Sequence, residues 1–269
     1  MRWDPQQYTI YADERGRPFA DLLARVRPPG APSGDPSGDP ALVVDLGCGP
    51  GTLTAGLTTR WPGARVIGVD SSAEMIAQAR LLETGRLSFV EADLRTWTPP
   101  GPVDVLVTNA TLQWVPDHLA LLPRLVAALA PGGVLALQVP HNFGAPSHVL
   151  LHELRNAPRW RPLVGDDAAP SLDRAASSGE AVDYLAALAG AGCAVEAWET
   201  TYLHVLTGAD PVLEWMRGTG ARPTLAGLPD ADRAEFEREY AAVLRTAYPA
   251  RPYGTVLPFR RVFAVAVRP

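Results

Sequence analysis

The chain has 269 residues, of which 47% are hydrophobic and 20% are charged, and its formal net charge at pH 7 is −5. This length supports one sizeable hydrophobic core, or one core with an added lobe. The acidic balance argues against nucleic acid as a partner, because binding to phosphates requires a basic face.

Three further classes of feature are not expected from the sequence. No apolar run approaches the roughly 20 residues of a membrane span, and no apolar signal segment follows Met1. We therefore expect no membrane partner. Cys48 and Cys193 show neither metal-ligand spacing nor a disulfide framework, so we expect no metal site and a cytoplasmic location.

The first half of the chain alternates between predicted strands and helices. A short helix from Pro18 to Arg27 precedes a connector rich in Pro, Gly and Ser at 28–40. Predicted strands then follow at 42–46, 65–69, 87–91, 103–107 and 133–139, with predicted helices at 52–60, 72–80 and 118–130. This alternation predicts a parallel sheet with helices on both faces.

The pattern changes after residue 140. Helices are predicted near 147–156, at 178–190 and over 209–248, and strands at 194–206 and 257–267. We expect the helical stretches at 141–175 and 209–250 to be insertions that form a lid over the carboxyl ends of the strands, where α/β sheets bind ligands.

A glycine-rich turn follows the first predicted strand. It reads Gly47-Cys48-Gly49-Pro50-Gly51, and the second predicted strand is followed by Asp70, 19 residues after Gly51. Glycines allow tight turns and let a ligand approach the backbone closely. An acid at about 20 residues can accept hydrogen bonds from the hydroxyls of a ribose. The pattern predicts a site for a cofactor that contains a nucleoside.

The spacing of these glycines distinguishes two kinds of cofactor. The dinucleotide fingerprint is G-x-G-x-x-G, whereas the third glycine comes one residue early in this chain. Asp45, two residues before Gly47, would also repel a pyrophosphate. S-adenosylmethionine has an amino group and a positive centre that suit Asp45, and a ribose that suits Asp70. We therefore predict S-adenosylmethionine as the cofactor and S-adenosylhomocysteine as the product.

The chain resembles the class I S-adenosylmethionine-dependent methyltransferases over five segments in chain order. After the glycine turn and the segment that ends at Asp70 come Glu91-Ala92-Asp93, Val103 to Ala110, and Leu129 to Leu135. The resemblance implies a Rossmann-like α/β fold with a doubly wound, mostly parallel seven-stranded sheet, whose last two strands form a hairpin at its edge.

The same resemblance implies a set of cofactor-binding residues. In this family the acid that closes the third strand faces the adenine amino group, and the tip of the fourth strand lies near the methionine part of the cofactor. The implied residues are Asp45, Gly47, Gly49, Asp70, Ser71, Ala92, Asp93 and Asn109.

A second, narrower resemblance covers nearly the whole chain. The matching segments begin at Trp3, Arg15, Asn109, Gln138, Pro146, Trp215 and Leu257. Together they are similar to the trans-aconitate 2-methyltransferases, although His141 stands where that pattern has an acid. The resemblance implies an O-methyltransferase that forms a monomethyl ester on a carboxylate of trans-aconitate or a close tricarboxylate.

The predicted substrate residues are basic, polar or aromatic. The chain contains no lysine, so its 24 Lys and Arg positions are all arginine, and a guanidinium matches the geometry of a carboxylate. The substrate-binding candidates are Arg217, Arg222, Tyr253 and Arg260, and the positioning candidates are Tyr8, Gln113, Trp114 and His141. Neighbouring residues on a strand face opposite ways, so only one of Arg260 and Arg261 is expected to face the site, and Arg260 is favoured.

The chain is expected to divide into four parts. These are an N-terminal lid segment at 1–29, a cofactor-binding core at 30–140, a helical lid at 141–256 with one core strand at about 194–206, and a final core strand at 257–269. Two other functions stay open: methylation of another small-molecule or carrier-bound acid, and a non-catalytic module that binds S-adenosylmethionine. The sequence predicts no oligomeric state.

Overall fold

The computed structural model describes residues 12–29, 39–164 and 178–269, with side chains described from Gly16 onward. Tyr8 and most of the predicted connector lie outside these residues. The strands are β1 Leu42–Leu46, β2 Arg65–Asp70, β3 Leu87–Glu91, β4 Val103–Asn109, β5 Leu129–Pro140, β6 Ala194–Leu206 and β7 Thr255–Val267. The helices are α1 Ala12–Leu23, α2 Thr52–Arg60, α3 Ala73–Ala79, α4 His118–Ala127, α5 Pro146–Arg155, α6 Arg161–Val164, α7 Ala181–Gly190, α8 Pro211–Arg217, α9 Arg222–Gly227 and α10 Asp230–Ala247.

The strands form one seven-stranded sheet in the order β3-β2-β1-β4-β5-β7-β6. β1 pairs in parallel with both β2 and β4, and the pairs β2–β3 and β4–β5 are parallel as well. The strand order reverses direction between β1 and β4, and open α/β sheets bind ligands beyond the carboxyl ends of the strands at such a point. The predicted doubly wound, mostly parallel seven-stranded sheet is confirmed.

The central strands are buried on both faces, as expected for parallel strands with helices on either side. Val44 and Leu46 of β1 pack in one cluster with Leu106 of β4 and Leu135 of β5, and all four are at most 1% exposed. Burying each such side chain stabilises the fold by about 1.5–3 kcal/mol. The packed core holds the ends of β1, β2 and β4 in place, and the candidate site is built on those ends.

The chain divides into two compact units. The first comprises Met1–Val139, Gly179–Glu199 and Val262–Pro269, and the second comprises Pro140–Ser178 and Thr200–Arg261. In the second unit α5 packs against α10, and Tyr240 donates a hydrogen bond of 2.6 Å to the carbonyl of Ser147. The four-part division made from the sequence stays a prediction.

Five predicted elements differ from the structure by three or more residues. The helix expected at 118–130 ends at Ala127, and the helix expected at 178–190 begins at Ala181. The helix expected from Pro18 to Arg27 spans Ala12–Leu23, and residues after Leu23 form turns. β5 begins at Leu129 rather than at 133, with a register shift against β4 at Val103 and Val105. The long helix expected over 209–248 is divided into α8, α9 and α10.

Proline explains only part of the division of that helical stretch. Pro211 and Pro223 each stand in the first turn of a helix. The N–H groups of this turn have no partner within the helix, so the N–H group that proline lacks costs no hydrogen bond. Pro229 is the N-cap residue of α10. Leu228, the residue before Pro229, is extended with a ψ of 140°, so Pro229 accounts for the end of α9. The break between α8 and α9 is instead a turn at residues 218–221.

None of the helices in the described ranges combines the length and the apolar character that crossing a membrane requires.

Candidate active site

The glycine-rich turn connects β1 to α2, and its three glycines have different functions. Gly47, Gly49 and Gly51 all have positive φ angles, of 80°, 54° and 82°. L side chains rarely adopt this region, so the turn requires glycine for its backbone alone. A Cβ at Gly47 would also lie 2.0 Å from Thr111 Oγ1, and one at Gly51 would lie 2.7 Å from Phe89 Cζ. Gly47 and Gly51 therefore permit close packing.

Gly49 is different because a Cβ there would meet no atom within 4 Å. This glycine faces a cavity of about 410 Å³ in the first unit. The cavity is lined by Gly47, Gly49, Val69, Asp70, Ser71, Met75, Ala92, Asp93, Leu94, Arg95, Asn109, Ala110, Thr111, Trp114, Val115 and Pro116. Seven of the eight residues predicted to bind the cofactor thus line one cavity.

Asp70, at the end of β2, is positioned by the backbone around it. Its Oδ2 accepts a hydrogen bond of 2.9 Å from the N–H of Gly49, and its Oδ1 accepts one of 2.9 Å from the N–H of Ser72. Each carboxylate oxygen can accept a further hydrogen bond. The carboxylate is therefore rigidly placed on the cavity wall with acceptor capacity left for two hydroxyl groups.

Asp45, the eighth predicted residue, lies behind the glycine turn and outside the described cavity lining. It is 3% exposed, and its Oδ2 accepts a hydrogen bond of 2.6 Å from the hydroxyl of Thr54. Burial raises the pKa of Asp45 to about 7; the Thr54 hydrogen bond opposes this and the charge of Asp70 adds to it. Direct contact between Asp45 and the cofactor stays a prediction.

The raised pKa of Asp45 predicts a stability effect with a definite sign. The native carboxyl holds its proton up to about pH 7, whereas in the unfolded chain it loses the proton near 3.8. The native state binds more protons between these values, so Asp45 makes stability fall as pH rises through this window. We expect Asp45→Asn, which keeps an acceptor for Thr54, to gain stability relative to the unchanged protein between pH 4 and 7.5. Urea unfolding of both proteins at these two pH values measures their free energies of unfolding. A difference between the two free energies that does not change with pH would contradict the prediction.

Asp93 follows β3 and pairs with a neighbour on its own loop. Both of its carboxylate oxygens accept hydrogen bonds from the Nε of Arg95, at 3.0 and 2.9 Å. The Arg95 guanidinium holds the pKa of the Asp93 carboxyl below its usual range. Asp93 and Arg95 both line the cavity. A contact of Asp93 with adenine stays a prediction, and the carboxylate that would make it is already paired with Arg95.

The end of β4 contributes an acceptor and a strained turn. Asn109 Oδ1 is buried and has no hydrogen-bond partner among the described residues, which suits it to an amino group of a ligand. Ala110 has a φ of 53°, which is uncommon for a residue other than glycine, and its carbonyl accepts a hydrogen bond of 2.6 Å from Gln113 Nε2. Gln113 is thus a buried support for the cavity wall, whereas Trp114 lines the cavity itself.

Sequence reasoning missed the apolar lining of the cavity. Met75, Leu94, Val115 and Pro116 provide apolar surface against which a purine ring can pack. The sequence did contain a signal for these residues, because each one lies in the loop or the first helical turn that follows β2, β3 or β4. The open cradle at Gly49, the orphaned acceptor of Asn109 and the carboxylate of Asp70 together fit a nucleoside with an amino-acid tail.

The predicted substrate residues lie in the second unit, and Arg217 is already paired there. Its Nε and Nη2 donate to the two carboxylate oxygens of Glu237 at 2.8 and 2.7 Å, and its Nη1 contacts Glu214. The Glu237 carboxylate raises the pKa of the Arg217 guanidinium. The structure therefore places Arg217 as the partner of internal carboxylates, which weakens the prediction that it binds substrate.

The other substrate-binding and positioning candidates of this unit differ in their burial and in their contacts. Arg222 begins α9 and is half-buried, and Tyr253 is 64% exposed. The N–H of His141 donates to the carbonyl of Arg260 at 2.9 Å, and the His141 ring contacts the hydroxyl of Ser178 at 3.2 Å. Arg260 is half-buried, whereas Arg261 is 4% exposed, so the more buried arginine of the pair is not the one favoured from the sequence.

The fold and the site are those of a class I S-adenosylmethionine-dependent methyltransferase. The strand order reverses between β1 and β4, a glycine turn follows β1, and an acid ends β2. A family model described as a methyltransferase domain matches residues 43–133. The fold resembles a methyltransferase from Geobacter sulfurreducens solved with S-adenosyl-L-homocysteine, at a TM-score of 0.52 and 19% identity over the full length of both chains. A Bacillus halodurans structure called a putative methyltransferase has a TM-score of 0.54 and 13% identity, over 93% of this chain and 98% of that one. The predicted enzyme class and cofactor are confirmed.

The relatives at higher identity are named trans-aconitate 2-methyltransferase. The relative from Streptomyces avermitilis is 53% identical over 98% of this chain and 96% of its own length. Those from Streptomyces coelicolor and Mycolicibacterium gilvum are 52% and 48% identical, over 99% and 98% of this chain and 87% and 98% of their own lengths. This chain belongs to the trans-aconitate 2-methyltransferase family.

Proposed function

We propose that this enzyme transfers a methyl group from S-adenosylmethionine to a carboxylate of trans-aconitate and forms a monomethyl ester. The observation that carries this proposal is identity of about half the residues over nearly the whole chain. The methyltransferase-domain match ends at residue 133, so the identity extends through the parts of the chain that differ among methyltransferases. The second unit, which we propose as the acid-binding part, lies within that extension.

The residues of the first unit are suited to holding the cofactor. We propose that Asp70 binds the ribose hydroxyls, that Asn109 accepts from the amino group, and that the apolar lining covers the adenine. Bound S-adenosylmethionine supplies an electrophilic methyl group on a sulfonium centre. The protein aligns the acid with that group and excludes water from it.

No strong base is needed for this reaction. A carboxylic acid is already ionised at neutral pH, so the attacking oxygen requires no deprotonation. The rate enhancement then comes from proximity, orientation and removal of water around two charged reactants. This agrees with a site composed of hydrogen-bond acceptors, guanidinium groups and aromatic rings.

A panel of candidate acid substrates tests the proposal against its alternatives. We expect turnover of trans-aconitate, with slower turnover of cis-aconitate and isocitrate and none of malonyl thioesters. Release of S-adenosylhomocysteine gives the rate, and mass spectrometry of the acid gives a mass increase of one methylene group. Absence of turnover with every free polycarboxylate would overturn the proposal. Turnover of the thioester alone would favour a carrier-bound acid, and binding of cofactor without any turnover would favour a non-catalytic module.

The proposal includes a free small molecule as the partner, with no nucleic acid and no membrane. The net charge of −5 supports the first exclusion, because an acidic chain repels a phosphate backbone. We also propose a cytoplasmic location, on the basis of the two cysteines that are free and buried.

A further inference from the structure

The loop that follows β3 lies between two cavities of the first unit. We name residues 93–99 the Asp93 loop. Asp93, Leu94 and Arg95 line the cofactor cavity, and Leu94 also lines a second cavity of about 200 Å³, together with three later residues of the loop. Because a cavity lies on either side of the loop at Leu94, close packing alone does not fix the position of the loop.

The first part of the Asp93 loop is a single helical turn. The N–H groups of Thr96 and Trp97 donate to the carbonyl of Asp93, at 3.0 and 2.8 Å. The N–H of Arg95 donates to Asp93 Oδ1 at 2.9 Å. The carbonyls at the end of such a turn have no partner within it, and they form the negative end of its peptide dipoles. A basic side chain is the group that suits this end of the turn.

Arg124, in the last turn of α4, supplies that basic side chain. Its Nη1 donates to the carbonyl of Leu94 at 3.4 Å and also to that of Arg95, and its Nη2 donates to the carbonyl of Trp97. Hydrogen bonds from a charged donor are stronger than those between neutral groups. Arg124 lines the second cavity and is not part of the described lining of the cofactor cavity. The guanidinium therefore holds three carbonyls of the loop without lying in the cofactor cavity.

The helix that carries Arg124 is fixed by the core. Leu125 and Val126, the next two residues of α4, are each 5% exposed and pack in one cluster with Leu46 of β1 and Leu106 of β4. α4 also packs against α7. Arg124 thus connects the Asp93 loop to a rigid part of the first unit.

The contacts of Arg124 continue to the lining of the cofactor cavity. Arg124 holds the main chain of Arg95, and the side chain of Arg95 donates to both carboxylate oxygens of Asp93. A shift of the loop would therefore move the Leu94 side chain, the Asp93 carboxylate and its guanidinium partner together.

We infer that Arg124 is a positioning residue of the cofactor site, which fixes the Asp93 loop and thereby the surface that the cavity presents to the adenine. This inference rests on the proposed function above, in which the apolar lining covers the adenine, and on the predicted contact of Asp93 with the adenine amino group. Asp70 and Asn109 lie at the ends of β2 and β4, outside the loop, so loss of Arg124 leaves their positions unchanged. The effect of Arg124 is therefore confined to the purine end of the cofactor.

The test compares two ligands that differ only in the purine ring. S-adenosylhomocysteine has an amino group at C6, whereas S-inosylhomocysteine has an oxygen at C6 and a proton on N1. A carboxylate held beside the amino group accepts from the first ligand and repels the oxygen of the second. We expect the unchanged protein to bind S-adenosylhomocysteine about 30-fold more tightly than the inosine analogue, as measured by calorimetry.

Arg124→Gln is expected to remove most of this preference. The Kd for S-adenosylhomocysteine should rise about 10-fold, because a misplaced loop loses the contact with the amino group, and the Kd for the inosine analogue should stay within about twofold. Arg124→Lys keeps the charge but lacks the planar fork of donors, so we expect it to raise the first Kd only about threefold. A purely structural role for Arg124 would weaken both ligands by the same factor.

Arg268→Gln is the matched control. Arg268 belongs to the same unit, and its Nη1 donates to the carbonyl of Ala127 at 3.1 Å and to that of Leu129. It is not part of the described lining of either cavity. Arg268→Gln removes the same kind of contact between guanidinium and carbonyl, so it should lower the thermal midpoint and leave the preference unchanged. If Arg124→Gln does not fold, Arg124→Lys provides the test, with an expected preference of about 10-fold.

The outcomes separate this inference from the proposed function. A folded Arg124→Gln that keeps the preference of the unchanged protein, or an equal loss of preference in Arg268→Gln, would overturn the inference and leave the proposed function standing. Equal binding of the two ligands by the unchanged protein would overturn the contact of Asp93 with adenine, and the inference with it. The measurement involves no acid, so absence of turnover with every acid would overturn only the proposed substrate.

Discussion

Replacement of Asp70 by alanine is expected to weaken S-adenosylmethionine binding by about 100-fold or more. The carboxylate accepts hydrogen bonds from the N–H groups of Gly49 and Ser72, and we assign it two further bonds from the ribose. Hydrogen bonds to a charged group contribute about 1.5–3 kcal/mol each, so loss of the two ribose bonds alone corresponds to at least two orders of magnitude in Kd. Calorimetric titration with S-adenosylmethionine gives the value directly.

Asp104 provides a matched control for this experiment. Its Oδ2 accepts hydrogen bonds from the N–H groups of Ala41 and Leu42, at 2.8 and 2.9 Å, and it is not part of the described cavity lining. Asp104→Ala therefore removes a carboxylate that also supports two backbone groups of the same unit. We expect it to lower stability and leave cofactor affinity unchanged. Equal Kd values for Asp70→Ala and the unchanged protein would defeat the ribose assignment.

Replacement of Gly49 by alanine is expected to reduce cofactor affinity at least 10-fold while the protein still folds. The added Cβ meets no protein atom within 4 Å, so it occupies space in the cavity rather than displacing the core. Its φ of 54° is in the left-handed region, which costs an ordinary residue about 1–2 kcal/mol. Thermal unfolding and calorimetric titration separate the two effects.

Two other glycines serve as comparisons. Gly47→Ala would place a Cβ 2.0 Å from Thr111 Oγ1, so we expect a much larger loss of stability than at Gly49. Gly56 is inside α2 with open space around it, and Gly56→Ala should raise stability slightly, because alanine is the better helix former. If Gly49→Ala binds S-adenosylmethionine as tightly as Gly56→Ala does, the cavity is not the cofactor site.

Much of the fold was predictable because its signals are local. Apolar runs bounded by turns located every strand of the sheet, and the alternation with helices predicted parallel pairing. The ranges 42–46 and 52–60 agree with β1 and α2 at both ends. The boundaries of β5 were missed because strand register depends on what each segment packs against. The breaks among α8, α9 and α10 were missed although Gly218 and Pro229 are local signals for a break.

The residues that line the cavity were partly predictable for a similar reason. Gly47, Gly49 and Asp70 stand at fixed spacings along the chain, and a turn after a strand brings them to one edge of the sheet. Met75, Val115 and Pro116 were missed because an apolar residue in a loop or a first helical turn looks the same whether it lines a cavity or packs in a core. Only the folded chain shows which it does.

The partners of the arginines, in contrast, were not predictable from the sequence. From the sequence, Arg217, Arg260 and Arg261 were equally charged and nearly equivalent, and Arg217 and Arg260 were favoured. The structure pairs Arg217 with Glu237, twenty residues away on α10, and buries Arg261 over Phe259. The partner of a charged side chain is set by packing between distant segments, and no local pattern encodes it.

The sequence by itself determined the sheet, the glycine turn, the cofactor and the enzyme family. The glycine turn and the cofactor prediction rest on the spacing of residues 45–70, whereas the sheet and the family rest on segments distributed over nearly the whole chain. Tertiary structure alone decided that Asp45 is buried with a raised pKa, that Arg217 is paired with Glu237 and that Arg261 lies over the ring of Phe259. Those properties follow from burial and from contacts between residues far apart in the chain.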